Sequence, residues 1–549
     1  MAEVFRFEQD TESYIRLSRA SSEKGDRLKA LLYARKGAEK NEPSAVVRLA
    51  DALYESGNFE QSADIFLRLY FDGVRLPEVY SGLSRCFFDM SRLNAAQFFI
   101  KEGISTGALD VEMPDKGDKD TFPADLIPSL VFDYPFRTYS VSAARLIYPV
   151  KIMLTRGIPE FLRDTSIDVS VSQYRCAEIL EDAFAVVVGA RLDDGNAKKL
   201  LEVCNITLDK DPDNINALAT KTEALAALGN LSEACELADE IRSFDVSGDL
   251  VELMKCAFAM LAVGDDEGVA EYTEEILTFC EELNVLLLTA IANINIGDYL
   301  RAKELLSYVL RIVPSHPVAS YYSGLLHSGE EIPALPYSTG LPEFEIRRRK
   351  LKIAKLFERA PEDLPITQGE RELLNWALRS RDFVFAGSVG VEMVRTNTAK
   401  DLVLSLLRSC TISPEVKRKW LTELLMCDSG CRQYSIFVDV PRTVSSAVFT
   451  AHCTNRAKRI YFTALSFLSV NNCAFSDKKL YQSFLDAVSV IDSEKHFIDE
   501  VCAAAAITLH ARMRGLTKAD NVSALFGKTT DDVSAAEMFL YEKAGERNV

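Results

Sequence analysis

A chain of 549 residues is longer than one compact core holds, so roughly two to four domains are expected. With 48% apolar and 26% charged residues it is ordinary globular material, which excludes bulk disorder; its apolar runs are too short to cross a bilayer. The net charge of −18 is uneven: residues 1–340 carry 33 basic against 55 acidic side chains, and residues 341–549 carry 30 against 26. An acidic surface disfavours nucleic acid and suits a basic partner segment, with solubility alone as the plainer reading.

The opening residues, Met1–Phe7, lack a basic-then-apolar leader, so a cytoplasmic protein is expected. Twelve cysteines in a chain this long do not make a disulfide framework. Most, such as Cys86, Cys204, Cys256 and Cys280, fall on helical apolar patterns, where a free thiol behaves as a small hydrophobe.

In chain order, the first hundred residues alternate short helical patterns punctuated by Gly25-Asp26 and Gly57-Asn58, 32 residues apart, with Ser91 standing 34 beyond Gly57. Residues 107–140 break the pattern with Pro114, Pro123, Pro128 and Pro135 among aromatic side chains, and are read as a linker or docking loop. The punctuation then resumes at Gly195-Asn196, Gly229-Asn230, Gly264-Asp265 and Gly297-Asp298, at intervals of 34, 35 and 33 residues. A period in this range marks stacked helical hairpins, because no single hairpin buries its apolar face alone. Glycine ends the first helix in a left-handed turn that a Cβ would penalise, and small residues such as Ala50, Thr222 and Ala290 let the paired helices approach.

The spacing, and residues such as Val46, Leu49, Ala50, Leu53, Gly57, Asn58, Phe59 and Ser62, resemble the tetratricopeptide repeat. About seven copies are visible between Thr11 and Gly329, in an N-terminal array at 1–106 and a second at 141–328. The resemblance implies an all-α fold, an α–α superhelix followed by a C-terminal helical domain. It also implies that the first helix of each repeat lines a concave binding face. On the matching positions stand Arg19, Asp51, Tyr54, Glu55, Arg85, Phe88 and Asp89 in the first array, and Leu192, Glu223, Leu287, Ile291 and Asn295 in the second. The lysine and asparagine clamp of chaperone-binding members is not matched. The second groove is apolar enough to take a partner helix or to be covered by the chain itself.

Residues 329–342, rich in proline, read as a second linker. Residues 343–432 follow as a helical segment resembling HEAT pairs. It opens with an amphipathic helix carrying Arg347, Arg348, Arg349, Lys350, Lys352 and Lys355, with Phe344, Leu351, Ala354 and Phe357 as its apolar side. Such a basic run is ordinarily a solvated helix face. Residues 433–549 read as a helical bundle with one short strand, Gln433–Val440. Its end resembles a helix-turn-helix, with Ser523, Gly527 and Val533 at the small, turn and apolar positions. The would-be reading helix leads with Asp531 and Asp532, which repel phosphate, so DNA binding is not favoured.

Phosphate-binding glycine loops, nucleophile elbows and paired-histidine zinc motifs are missing from the sequence. Cys427, Cys431, His452 and Cys453 are the right types for zinc but not at its usual spacing, so no metal or cofactor is expected. The expectation is a non-enzymatic scaffold that binds a protein or peptide, with a basic segment as a suitable partner; no membrane contact is expected, and the oligomeric state is open. A transcriptional regulator with a sensing array and a DNA-contacting tail is the alternative.

Overall fold

A computed structural model describes residues 10–90, 92–109, 197–209, 211–246, 250–328, 332–338, 340–359, 366–427, 432–445, 453–471, 480–485, 487, 500–511 and 518–547. The expected docking loop beyond residue 109, the helices read within 141–190, Leu192 and the Gly195-Asn196 turn lie outside the described residues.

The described chain is mostly helical, with successive helices packed in pairs. The first six are α1 (Thr11–Glu23), α2 (Arg27–Ala38), α3 (Pro43–Glu55), α4 (Phe59–Phe71), α5 (Pro77–Asp89) and α6 (Leu93–Ser105). After residue 196 come α7 (Ala197–Leu208), α8 (Ile215–Ala227), α9 (Leu231–Ile241), α10 (Leu250–Val263), α11 (Asp266–Phe279), α12 (Leu283–Asn295), α13 (Tyr299–Ile312) and α14 (Pro317–Ser328). The punctuating glycines fall between paired helices: Gly57 and Gly229 both have φ 84°, a conformation open to glycine at little cost. The next helix starts two residues after each glycine. Asp26, Asp265 and Asp298 accept from the backbone N–H of Lys29, Gly268 and Arg301, so the Gly-Asp pair both ends one helix and caps the next. Asn230 makes no such side-chain cap, and the Asn58 side chain serves a different purpose described below.

The chain resolves into two compact units that do not follow sequence order. The first gathers described residues within 1–62, 85–91 and 110–342; the second gathers those within 63–84, 92–109 and 343–549. In the second, Asp64 accepts from the Cys410 N–H and the Ser409 hydroxyl, each at 2.7 Å, and Arg92 pairs with Asp439 at 2.7 Å.

The C-terminal part of the second unit contains α15 (Glu343–Phe357), α16 (Gln368–Leu378), α17 (Phe383–Thr396), α18 (Lys400–Leu407) and α19 (Pro414–Cys427). It continues with β1 (Gln433–Val438), β2 (Val440–Ser445), α20 (Asn455–Val470), α21 (Glu500–His510), α22 (Ala519–Phe526) and α23 (Thr530–Arg547). One apolar cluster runs from Ile353 through Tyr434 to Leu540, across the expected boundary at 432/433. Close approach of α17 and α19 depends on Gly390. The indole of Trp420 lies where a Cβ would stand, 2.0 Å from Nε1, and that Nε1 donates to the Ala386 carbonyl at 3.1 Å.

The single strand expected at Gln433–Val440 is instead two strands. β1 and β2 pair antiparallel, with Val438 opposite Val440 and Asp439 in the left-handed region at φ 60°. Asp is among the few side chains that tolerate that conformation, which lets the chain reverse after Val438. The second strand, with Pro441 and Arg442, has no apolar alternation and so left no strand pattern in the sequence.

Candidate functional site

The residues read as the first concave face come together along α1, α3 and α5. Arg48 is buried in α3 and spends its guanidinium on the chain itself. It donates to Ser18 at 2.8 Å, to Ser22 at 2.7 Å and to Glu55 at 2.8 Å. Burial pushes the Glu55 carboxyl up, but Arg48 and Ser22 outweigh it and hold it below the usual range. One turn back, Asp51 pairs with Arg85 of α5 at 3.1 Å; burial nevertheless raises the Asp51 carboxyl. The Arg85 guanidinium lies 4.8 Å from the centroid of the Tyr54 ring, and the Tyr54 hydroxyl donates to Asp89 at 2.5 Å. Burial and the Asp89 carboxylate together push the Tyr54 phenol well up. Each predicted acid of this face is thus matched within the chain. Arg19, Glu55 and Arg85 are exposed, and Asp51, Tyr54, Phe88 and Asp89 are half-buried, so the ladder keeps an open surface.

The positions read as the second concave face are arranged differently. Glu223 pairs with Lys255 at 3.2 Å, and both side chains are largely buried. Leu287 and Ile291 are 1% and 0% exposed, because α12 is buried on nearly every side and is not an amphipathic surface helix. Asn295 is bound by the chain's own following segment: its amide donates to the Leu335 carbonyl at 3.0 Å and its oxygen accepts from the Leu335 N–H at 2.7 Å. Tyr337 completes the strap, its hydroxyl donating to Asp266 at 2.6 Å, and burial pushes that phenol up. Of the two open alternatives for this groove, the chain's own segment occupies the end marked by Asn295. The segment carries Pro333 and Pro336, which keep it extended and unable to rejoin a helix.

Sequence reasoning missed a junction within the first unit. The Asn58 amide donates to the Glu281 carbonyl at 3.1 Å, and its oxygen accepts from the Leu283 N–H at 3.2 Å. The Glu281 N–H in turn donates to the Ser56 carbonyl at 3.1 Å. Arg27 and Arg35 reach the carbonyls of Thr278 and Ile312. The only available signal was that a position used elsewhere for capping holds Asn, whose side chain can both donate and accept. Beside the junction is a cavity of about 630 Å³ lined by Leu28, Leu277, Leu286, Leu300, Tyr308 and Arg311. Its Tyr308 hydroxyl is spent on Glu281, and Arg301 on Glu274, so its polar lining does not converge on the space as a small-molecule site would.

Among the described residues no group of three or more metal-ligating side chains forms. Cys431 and His452 lie outside the described residues; the Cys427 thiol lies 3.8 Å from a Glu423 oxygen. Burial pushes the Cys86, Cys204 and Cys256 thiols up to about 12, as inert packing thiols require. At the chain's end α22 and α23 meet at Gly527, φ 63°, with Ser523 and Val533 buried. Asp531 and Asp532 occupy the exposed first turn of α23. No helix of the described residues is long and apolar enough to cross a membrane.

No family model matches the chain, and no curated protein does. Among solved structures, the crystal structure of the APC/C hetero-tetramer Cut9-Hcn1 aligns over 96% of this chain and 96% of that one, at 11% identity and a TM-score of 0.18. A likeness of that size fixes neither fold nor function, and the helical pairing described above stands on the chain's own geometry.

Proposed function

We propose that this protein is a non-enzymatic scaffold of tetratricopeptide-like hairpins that holds a protein segment on the α1–α3–α5 face. The observation that carries the reading is the ladder of Arg19, Asp51, Tyr54, Glu55, Arg85, Phe88 and Asp89. It presents three acids, two bases and two aromatic rings on consecutive first helices, with an open surface. Three carboxylates within one face suit a basic segment, and the half-buried rings of Tyr54 and Phe88 offer it apolar contact. The in-chain ion pairs fix the side chains in place beforehand, so less rotamer freedom is lost on binding. The second array is the weaker candidate, since Leu287 and Ile291 are buried and Asn295 holds Leu335.

The test is retention of native-cell protein partners on the immobilised full chain, compared with a chain carrying Asp51→Lys, Glu55→Lys and Asp89→Lys. Loss of the same bound proteins, with an unchanged helical circular dichroism spectrum, supports the reading. Equal retention by both chains refutes it.

A further inference from the structure

The basic helix α15 does not lie as its sequence pattern predicts. Of the side expected to face inward, Phe357 packs against the core, but Phe344 is 62% and Leu351 63% exposed, and Ala354 is exposed as well. The buried side is instead Glu345, Ile353 and Leu356. Glu345, 2% exposed, explains the rotation: it accepts from Arg348 and Arg349, and Arg349 also lies 5.3 Å from the centroid of the Trp376 ring. A buried carboxylate must keep its cations, so it anchors the helix in this orientation. Lys350 clamps the other flank to Asp382 at 2.9 Å, at the start of α17, where Phe383 and Val384 are 45% and 68% exposed.

The outward stripe therefore combines Phe344 and Leu351 with Arg347, Lys352 and Lys355, all exposed. Lys352 and Lys355 have no acidic partner among the described residues, and the pair of Arg347 with Glu343 is a fully surface one, worth little. A merely solvated face needs the bases but not the two large apolar side chains between them.

We propose that this stripe is a docking surface for an acidic segment of another protein, one that carries two apolar anchors among Asp and Glu residues. Charge complementarity selects the acid. Phe344 and Leu351 stand two turns apart, so the anchors are spaced about 10 Å, two turns of a partner helix or about three residues of an extended one. An anionic membrane surface fits less well, because the bases interrupt the apolar arc that would insert and the chain as a whole carries −18. The stripe shares no residue with the α1–α3–α5 ladder and prefers a partner of the opposite charge.

The experiment selects displayed random peptides of about fifteen residues, the length at which isolated helices begin to form, on the full-length protein. The enriched peptides are expected to carry two apolar positions flanked by Asp and Glu, to bind more weakly as salt rises, and to lose about tenfold in affinity in Lys352→Glu/Lys355→Glu and in Leu351→Asn. All three positions are exposed, and an unchanged unfolding midpoint confirms that the variants fold. The variant with Asp51, Glu55 and Asp89 reversed should bind these peptides as before, which separates this surface from the one proposed above. Enrichment without an acidic consensus, or affinity unmoved by both stripe variants, overturns the proposal. So does tighter binding to phosphatidylserine vesicles than to any peptide, or self-association of the full chain that the same variants abolish.

Discussion

Lys417 gives the most quantitative prediction. The residue is 1% exposed, in α19, and among the described residues its amine donates to the carbonyls of Ser409, at 2.5 Å, and Phe437. Burial dominates and lowers its pKa to about 7, with Cys410, Asp64 and Asp439 opposing the shift and Arg92 adding to it. The unfolded lysine titrates near 10.5. Between those values the unfolded chain binds more protons than the folded one, so stability rises with pH. The slope approaches about 1.4 kcal/mol per pH unit and flattens below about 7, where both states are protonated. Lys417→Met removes the titration and leaves a constant offset from the two carbonyls that lose their donor. The stability difference, wild type minus variant, should therefore grow by about 2–3 kcal/mol between pH 7.5 and 9.5, a relative shift of roughly 1 M in urea midpoint. Both tryptophans of the chain, Trp376 and Trp420, lie in the unit that contains Lys417, so indole fluorescence follows the relevant transition. Thiol and other titrations are common to both proteins and cancel. A difference that stays flat across the window would refute the reasoning, showing that the amine reaches water or an acid.

Gly390→Ala places a methyl against the Trp420 indole and should cost about 1–3 kcal/mol by overpacking, read as a lower midpoint of the same fluorescence transition. Asn58→Ala leaves the buried Leu283 N–H and the Glu281 carbonyl without their partner. It should cost about 1–3 kcal/mol and speed amide exchange at the start of α12; unchanged exchange there would count against the junction. Exhaustive chelation should leave the melting temperature where it was. Stoichiometric zinc in the purified protein, with melting lowered by its removal, would contradict the expectation that Cys427, Cys431, His452 and Cys453 hold no metal.

The hairpins were legible because their signal is backbone chemistry repeated at a fixed interval: Gly57, Gly229, Gly264 and Gly297 all adopt the positive φ that their spacing implies. The side-chain pairs between α3 and α5 follow from the same repeat, since register brings Asp51 opposite Arg85 and Tyr54 opposite Asp89. Contacts between distant segments leave no periodic trace. Asn58 on Leu283, Asn295 on Leu335 and Asp64 on Cys410 each join residues whose pairing depends on how distant helices pack within one unit, and no local pattern encodes that. The orientation of α15 was misread because the apolar stripe of Phe344 and Leu351 outweighed one glutamate in the pattern. In the fold, burial of Glu345 with two arginines decides which side faces in.

The central claim is that partners are held on the α1–α3–α5 face and not in the second array. It is tested most directly by a photo-crosslinking side chain placed at Phe88 or, separately, at Asn295 in the full-length protein, exposed to native-cell extract. Phe88 should yield a discrete crosslinked partner that disappears when Asp51, Glu55 and Asp89 are reversed in charge, and Asn295 should yield crosslinks only to the chain's own Leu335 segment. Partner crosslinks from Asn295 with none from Phe88 would put the partner on the second array instead.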